Sequence, residues 1–302
     1  MNIESWPYFD EEDATEIKRC LESGKVNYWT GNQGKQFEED FSKKFNIKHS
    51  IALANGSLAL DLAYRSLKLQ SGDEFITTPR TFIATIAAGV NLNAKPIFAD
   101  VDPNSGCITA KSIEPLITSK TKLIAVVHIG GWPANMPEIM DLAKSYNLKV
   151  VEDCSQAHGA SINGQSVGSF GDVSTWSFCQ DKIISTGGEG GMVSTNNDDL
   201  WKLMRSFKDH GKNLEKVNSK NQSFKFKWLC DNFGSNYRLT EMQSILGRRQ
   251  LKKLDQWHIK RKKNALVLYD ILKNLDLLEI KLPENGFEHA WYKFYCKLNF
   301  SK

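Results

Sequence analysis

The chain has 302 residues, 41% of them hydrophobic and 25% charged, which is the composition of a soluble globular protein with a large apolar core. A net charge of +4 argues against a nucleic-acid-binding protein, and no apolar run approaches the roughly 20 residues that cross a membrane. The six cysteines form no CxxC pair, and the first residues lack the basic-then-apolar pattern of a signal peptide. The sequence therefore predicts a cytoplasmic protein with free thiols.

The amino-terminal part is predicted to be helical. Amphipathic helices are expected over 11–23 and from about 33 to 45, and a polar, aromatic loop over 25–31 joins them. An apolar strand over 51–54 then leads through the turn 55–57 into a helix. From this point the chain alternates short strands with helices.

The alternation continues to about residue 207, and a long helix follows later. Further strands are predicted at 74–78, 95–99, 123–127, 148–153, 173–178 and 192–195, and helices at 81–88, 136–146, 200–207 and 240–275. This pattern predicts an α/β fold with a mostly parallel sheet covered on both faces. Ligands of such sheets bind at the carboxyl ends of the strands.

Two charged residues stand at positions where the sheet would bind a ligand. Asp153 ends a predicted strand, although spacing alone favours an ordinary helix-cap or turn carboxylate. Lys182 lies between the strand 173–178 and the glycine-rich turn 186–191. Most lysines are solvated surface charges, but a partly desolvated lysine at a sheet rim is suited to forming a Schiff base.

Of two glycine-containing turns, one suggests where a phosphate would bind. Asn55-Gly56-Ser57 opens a helix, which is the arrangement of a phosphate cradle, although an ordinary serine cap is the favoured explanation when this turn is taken alone. The turn 187–191 is neither GxGxxG nor a P-loop, so neither a dinucleotide site nor an ATP site is supported.

Other kinds of site have little support. The histidines lack zinc-ligand spacing, and no GxSxG elbow of a serine hydrolase is present. The Lys-rich stretch 208–227 is interpreted as a solvated loop that packs on a partner subunit, in preference to a site for RNA or another anion.

Nine short segments, taken in order, resemble the DegT/DnrJ/EryC1/StrS family of sugar aminotransferases, which have fold type I and use pyridoxal 5′-phosphate (PLP). The segments are 23–31, 55–60, 78–85, 94–102, 127–131, 152–160, 177–182, 188–191 and 236–238. Each is weak alone, but their common order makes them strong together, and the resemblance covers nearly the whole chain. The tripeptide 179–181 departs from the family, in which many members have a His-Pro type run.

The resemblance implies a role for each residue around the cofactor. Lys182 would hold PLP covalently, and Asp153 would pair with the pyridine nitrogen. Phe82 would stack on the ring face, and Gln156 would lie near the ring hydroxyl.

The resemblance also implies a phosphate site and a shared active site. Gly56, Ser57 and Ser177 would hold the phosphate, and Asn236 would reach the phosphate of the neighbouring subunit's cofactor in a homodimer. Four further residues are predicted as substrate contacts: Tyr28, Trp29, Thr30 and Arg238.

The implied reaction moves an amino group from an amino acid, expected to be glutamate, to a nucleotide-linked keto-sugar. Amino sugars of this kind serve surface polysaccharides or glycoconjugates. A PLP-dependent sugar dehydratase is the less favoured alternative, because such relatives have histidine at the position of Lys182. A truncated, non-catalytic or regulatory relative that binds PLP or a nucleotide sugar is the other alternative.

The resemblance finally suggests two domains. Residues 1–245 are predicted to form the large PLP-binding domain with an amino-terminal helical arm. Residues 246–302 are predicted to begin a small carboxyl-terminal α/β domain, which is expected to be incomplete.

Overall fold

The computed structural model describes residues 6–213 and 229–299. The helices of these residues are α1 Glu11–Ser23, α2 Gln33–Phe45, α3 Gly56–Ser66, α4 Ala84–Val90, α5 Ala110–Ile113, α6 Met136–Ser145, α7 Asp198–Lys208 and α8 Glu241–Leu272. The strands are β1 His49–Leu53, β2 Glu74–Thr77, β3 Lys95–Phe98, β4 Thr121–Val127, β5 Lys149–Asp153, β6 Ser161–Ile162, β7 Gln165–Ser166, β8 Val173–Ser177, β9 Gly191–Thr195, β10 Leu278–Glu279, β11 Phe287–Glu288 and β12 Lys297–Leu298. None of these helices is long and apolar enough to span a bilayer.

A seven-stranded sheet forms the centre of the molecule, in the order β1-β9-β8-β5-β4-β2-β3. Within it, β9 runs antiparallel to both of its neighbours, and the other pairs are parallel. The central strands β4 and β5 are buried almost throughout, because helices cover both faces. The predicted mostly parallel α/β sheet is confirmed.

Helix α8 joins the sheet domain to the carboxyl-terminal segment and fastens α1 to the molecule. Lys253 on α8 donates to Asp10 at 2.6 Å and to Asp13 at 3.0 Å, and Arg249 also pairs with both carboxylates. The helix is continuous through residue 245, as its long amphipathic pattern predicts. The division into domains at this residue stays a prediction.

The carboxyl-terminal segment packs onto the chain that follows strands β4 and β5. Strand β11 pairs with β6 in a small three-stranded sheet, and β10 pairs with β12. Backbone N–H groups of Ala290 and Lys293 donate to the carbonyls of Gly131 and Gly130, both at 2.9 Å. These bonds place the segment 289–295 over the turn that follows β4.

A buried charge cluster ties the loop 25–31 to the sheet domain. The Glu38 carboxylate accepts hydrogen bonds from Lys208 at 2.8 Å, from the Tyr28 hydroxyl at 2.9 Å and from Arg205 at 3.0 Å. Burial alone raises the pKa of Glu38, but the charges of Lys208 and Arg205 hold it below the ordinary value. Burial lowers the pKa of Lys208 to about 8.

The environment of Lys208 corrects part of the sequence interpretation. The sequence predicts that this lysine belongs to a solvated loop over 208–227, but it ends α7 and is 1% exposed. Lys208 can be buried because Glu38, on helix α2, compensates its charge. Residues 214–228 of the predicted loop lie outside the described residues.

Replacing Glu38 with alanine should lower the free energy of unfolding by about 3–5 kcal/mol, because two buried cations lose their shared carboxylate. Urea denaturation measures this loss. The adjacent, exposed Glu39→Ala should change stability by no more than about 0.5 kcal/mol. A similar small change for both variants would contradict a stabilising role of the cluster.

Candidate active site

Three strand ends meet at one edge of the sheet. Leu53 at the end of β1 pairs with Gly191, and Gly191 pairs with Ser177 at the end of β8. Asp153 ends β5 and pairs with Thr175 on β8. The register therefore brings the ends of β1, β8 and β5 side by side, at the edge where parallel sheets bind their ligands.

A close backbone approach forms a cradle at this edge. Helix α3 begins at Gly56, and the Asn55 side chain caps it by accepting from the Leu58 N–H at 2.9 Å. A Cβ atom on Gly56 would lie 2.8 Å from Cβ of Ser177, and one on Gly191 would lie 2.4 Å from the carbonyl carbon of Asn55. Only glycine fits at both positions. The first turn of α3, with exposed Ser57, is suited to an anion.

The resemblance predicts that Gly56→Ala weakens the binding of PLP, because the added methyl group displaces Ser177 from the cradle. A cost of about 1–3 kcal/mol corresponds to about a 5- to 150-fold higher Kd. Titration with pyridoxamine phosphate measures this effect, since its binding needs no bond to a lysine. Arg65→Ala, at the other end of α3, removes an ion pair with Asp61 and a contact with Tyr237 and should leave the Kd unchanged.

Asp153 is held in a fixed orientation by two donors. It is 6% exposed, its Oδ2 accepts from the Thr85 hydroxyl at 2.7 Å, and its Oδ1 accepts from the Ser155 N–H at 3.1 Å. The Thr81 and Thr85 hydroxyl oxygens lie 2.9 Å apart. The carboxylate therefore does serve the turn, as the local alternative predicted, and it also lies at the rim of the sheet.

Lys182 is not a solvated surface lysine. Its side chain is 15% exposed, and its Nζ lies 3.3 Å from an Asp181 oxygen and 3.5 Å from the Tyr292 hydroxyl. Its carbonyl accepts from the Trp6 indole N–H at 2.9 Å. The amine is thus held close to the carboxyl-terminal segment.

Two further predicted cofactor contacts lie on loops next to these strands. Phe82 is 68% exposed, and its carbonyl accepts from the Thr85 N–H at 3.2 Å, so it precedes by one turn the residue that holds Asp153. Gln156 follows β5, and its Oε1 accepts from the Gly130 N–H at 2.7 Å. Phe82 therefore offers an accessible ring face.

The predicted substrate contacts occupy different environments. Tyr28 is 2% exposed with its hydroxyl bound to Glu38, so the structure does not bring this hydroxyl to Lys182. Thr30 is exposed, and the ring of Trp29 lies 4.9 Å from Nζ of Lys212. Their contact with a substrate stays a prediction.

The segment 236–238 lies beside the cradle. Arg238 pairs through its backbone with Leu53 at the end of β1, and its guanidinium is paired with Asp209. Asn236 is exposed, and its backbone pairs with Asp209. The position of Asn236 leaves its side chain accessible to another molecule.

A group of buried side chains under the site has a structural role. His128, Glu152 and Cys154 lie close enough together to hold a metal ion. However, Glu152 accepts from His128 and from the N–H groups of 168, 170 and 171 at 2.7–3.1 Å. The Nδ1 of His128 accepts from the Ala134 N–H. These bonds tie two loops to β5 and use the lone pairs that a metal would need.

Three residues of the site were not found by sequence reasoning: Thr85, Asp181 and Tyr292. Thr85 has a recognisable signal, because it follows Phe82 by one helical turn. Tyr292 has none, since more than a hundred residues separate it from Lys182.

Comparison with known proteins identifies the family. The family model described as the DegT/DnrJ/EryC1/StrS aminotransferase family matches residues 7–302. The chain belongs to this family. It is therefore a PLP-dependent aminotransferase, as the order of its motifs predicted.

Three similar proteins illustrate the relationship. UDP-N-acetyl-3-dehydro-alpha-D-glucosamine 3-aminotransferase of Acidithiobacillus ferrooxidans is 38% identical over 294 residues, which are 96% of this chain and 74% of that protein. GDP-perosamine synthase of Escherichia coli O157:H7 is 36% identical over 287 residues, 95% of this chain and 75% of that protein. The solved structure of the aminotransferase from Psychrobacter cryohalolentis has a TM-score of 0.97 and 46% identity, covering 99% of this chain and 78% of that one.

The residues at the sheet edge fit PLP. The cradle between Gly56 and Ser177 offers a helix start for the phosphate, and a Cβ would fill it. The buried Asp153 offers an acceptor for a protonated ring nitrogen, and Lys182 offers a primary amine for the aldehyde. The phosphate, the ring nitrogen and the aldehyde of the cofactor thus each have a partner of suitable chemistry.

Proposed function

We propose that the chain transfers an amino group from an amino acid, glutamate, to a nucleotide-linked keto-sugar. The observation that carries this proposal is the lysine at the rim of the sheet, because Lys182 is where a dehydratase would have histidine. Two relatives support the substrate class, since their names state that they act on a UDP-linked sugar or make GDP-perosamine.

We infer the following roles at the cofactor. PLP supplies an electron sink for the carbon that loses a proton. Lys182 holds the cofactor and moves the proton to or from the reacting carbon as a general base and acid. Asp153 keeps the ring nitrogen protonated, and Thr85 holds the Asp153 carboxylate in place. Exposed Phe82 covers one face of the ring and excludes water from it.

The remaining cofactor contacts position the ring. Gln156 would lie near the ring hydroxyl, and its hydrogen bond to the Gly130 N–H fixes its side chain. The N–H groups at the start of α3 and the side chains of Ser57 and Ser177 would hold the phosphate.

We infer that two copies of the chain complete the site. In this homodimer Asn236 reaches the phosphate of the partner's cofactor, which its exposed position permits. Substrate contacts are assigned to the loop with Tyr28, Trp29 and Thr30 and to Arg238. Because Tyr28 is buried, its part is to hold the loop.

The product is an amino sugar for a surface polysaccharide or glycoconjugate, made in the cytoplasm. The relatives named as sugar aminotransferases support the amino-sugar product.

One experiment tests the reaction. The protein is incubated with PLP, glutamate and a panel of UDP-, GDP- and dTDP-linked keto-sugars, and the product masses are measured. We expect an amine in place of the ketone with one nucleotide. Loss of oxygen without gain of nitrogen would identify a dehydratase instead. If glutamate fails to convert bound PLP to pyridoxamine phosphate, the proposed donor is wrong.

A further inference from the structure

One contact at the site remains unexplained by the reaction above. Asp181 directly precedes Lys182, and a carboxylate next to a reactive amine favours the ammonium form, which cannot attack a carbonyl. The tripeptide containing Asp181 is also where the sequence departs from its family. The amine is therefore available for attack only if a second group weakens the ion pair between Asp181 and Lys182.

Tyr292 meets this requirement by its geometry. Its hydroxyl donates to Oδ2 of Asp181 at 2.5 Å, whereas Nζ of Lys182 lies 3.3 Å from the same oxygen. The bond from the tyrosine hydroxyl to Asp181 is thus shorter than the bond from the lysine amine. Nζ also lies 3.5 Å from the hydroxyl and 5.2 Å from the ring centroid of Tyr292.

The pKa shifts of Asp181 and Tyr292 agree with a hydrogen bond from the tyrosine hydroxyl to the carboxylate. Burial raises the pKa of Asp181, but the Tyr292 hydrogen bond and the charge of Lys182 together hold it below its ordinary value. Burial and the bond to Asp181 raise the pKa of Tyr292, so the hydroxyl keeps its proton and remains a donor.

The position of Tyr292 is set by the backbone on both sides. Ala290 and Lys293 each donate to the turn after β4, at 2.9 Å. The same turn holds Gln156 through Gly130, whose φ of 64° is one that glycine adopts readily. The tyrosine is therefore anchored to the same turn to which the predicted cofactor contact Gln156 is hydrogen-bonded.

We propose that Tyr292 is a positioning residue for Lys182: its hydroxyl makes the shorter bond to Asp181, which weakens the ion pair between this carboxylate and the lysine amine and leaves the amine available to PLP. This inference rests on the proposed role of Lys182 as the residue that holds the cofactor. It needs no assumption about the sugar or the amino donor.

The test follows covalent capture of PLP by the cofactor-free protein. In this step the neutral Lys182 nitrogen bonds to the aldehyde carbon and one water leaves, after the ammonium form has given its proton to solvent. The capture rate is measured against pH by rapid-mixing absorbance for wild type, Tyr292→Phe, Asp181→Asn and the double variant. Borohydride reduction and mass spectrometry locate the adduct.

Tyr292→Phe should slow capture about tenfold near neutral pH and move the rate profile up by about one pH unit. Asp181→Asn should not slow capture, and the double variant should regain the rate of Asp181→Asn. A structural role of Tyr292 predicts no such rescue. Tyr295→Phe removes a hydroxyl from the same segment and should behave as wild type.

The outcomes separate this inference from the proposed reaction. Rescue by Asp181→Asn supports the inference, even if no sugar in the panel is aminated. A Tyr292→Phe rate equal to wild type, or a double variant as slow as Tyr292→Phe, overturns it. An adduct on another lysine overturns both this inference and the role of Lys182. Thermal unfolding of each variant confirms that the proteins compared are folded.

Discussion

Lys182→Ala should leave a folded chain that cannot hold PLP covalently, and its turnover should fall by at least about 10³-fold. The reason is that one amine both attaches the cofactor and moves the proton. Its side chain is 15% exposed, so the truncation removes little packing. Visible absorbance after addition of PLP measures the attachment, and product formation measures the turnover.

A matched control is a lysine at the opposite edge of the same sheet. Lys149 begins β5 and pairs with Asp172 at 2.8 Å on the surface. Lys149→Ala should keep the absorbance and the turnover of wild type. If Lys182→Ala retained turnover within tenfold of wild type, another group would have to be the proton carrier.

Asp153→Asn should bind PLP covalently but slow its conversion by glutamate about 10²- to 10³-fold. The substitution keeps the size of the side chain and an oxygen that can accept from Thr85. It removes the negative charge that we assign to the ring nitrogen, so the cofactor becomes a poorer electron sink. Single-turnover absorbance with glutamate measures the rate.

The control for this variant is Asp141→Asn, which makes the same change on the exposed surface of α6 and should have no effect. Equal rates for Asp153→Asn and wild type would mean that the ring nitrogen is not paired with this carboxylate. A loss of PLP binding instead would mean that Asp153 serves mainly to hold the turn with Ser155.

Local patterns predicted much of the fold and the position of the candidate site. The strand before Gly56 is an apolar run, the strand from Val173 alternates apolar with polar residues, and turn residues follow both, so the carboxyl edge could be predicted before any contact was known. Lys182 stands out because a strand precedes it and glycines follow it. Such signals arise within a few residues of chain.

The rest depends on partners that are distant in sequence. Lys208 looked solvated because its neighbours are polar, but Glu38 neutralises it from another helix. Tyr292 reaches Lys182 only because the segment 289–295 hydrogen-bonds to the turn after β4. The hydrophobic periodicity of the sequence does not indicate such contacts, because each forms only once the tertiary fold is in place.

The insertion of β9 between β1 and β8 has a consequence for how the protein is made. Gly56 and Ser177 come together across a strand that follows both of them in the chain. The cradle is thus a contact of high sequence separation, and it can form only once the long chain segment between Gly56 and Ser177 has closed into a loop. Affinity for PLP therefore reports complete folding of the sheet, and the cofactor in turn stabilises the finished domain by mass action.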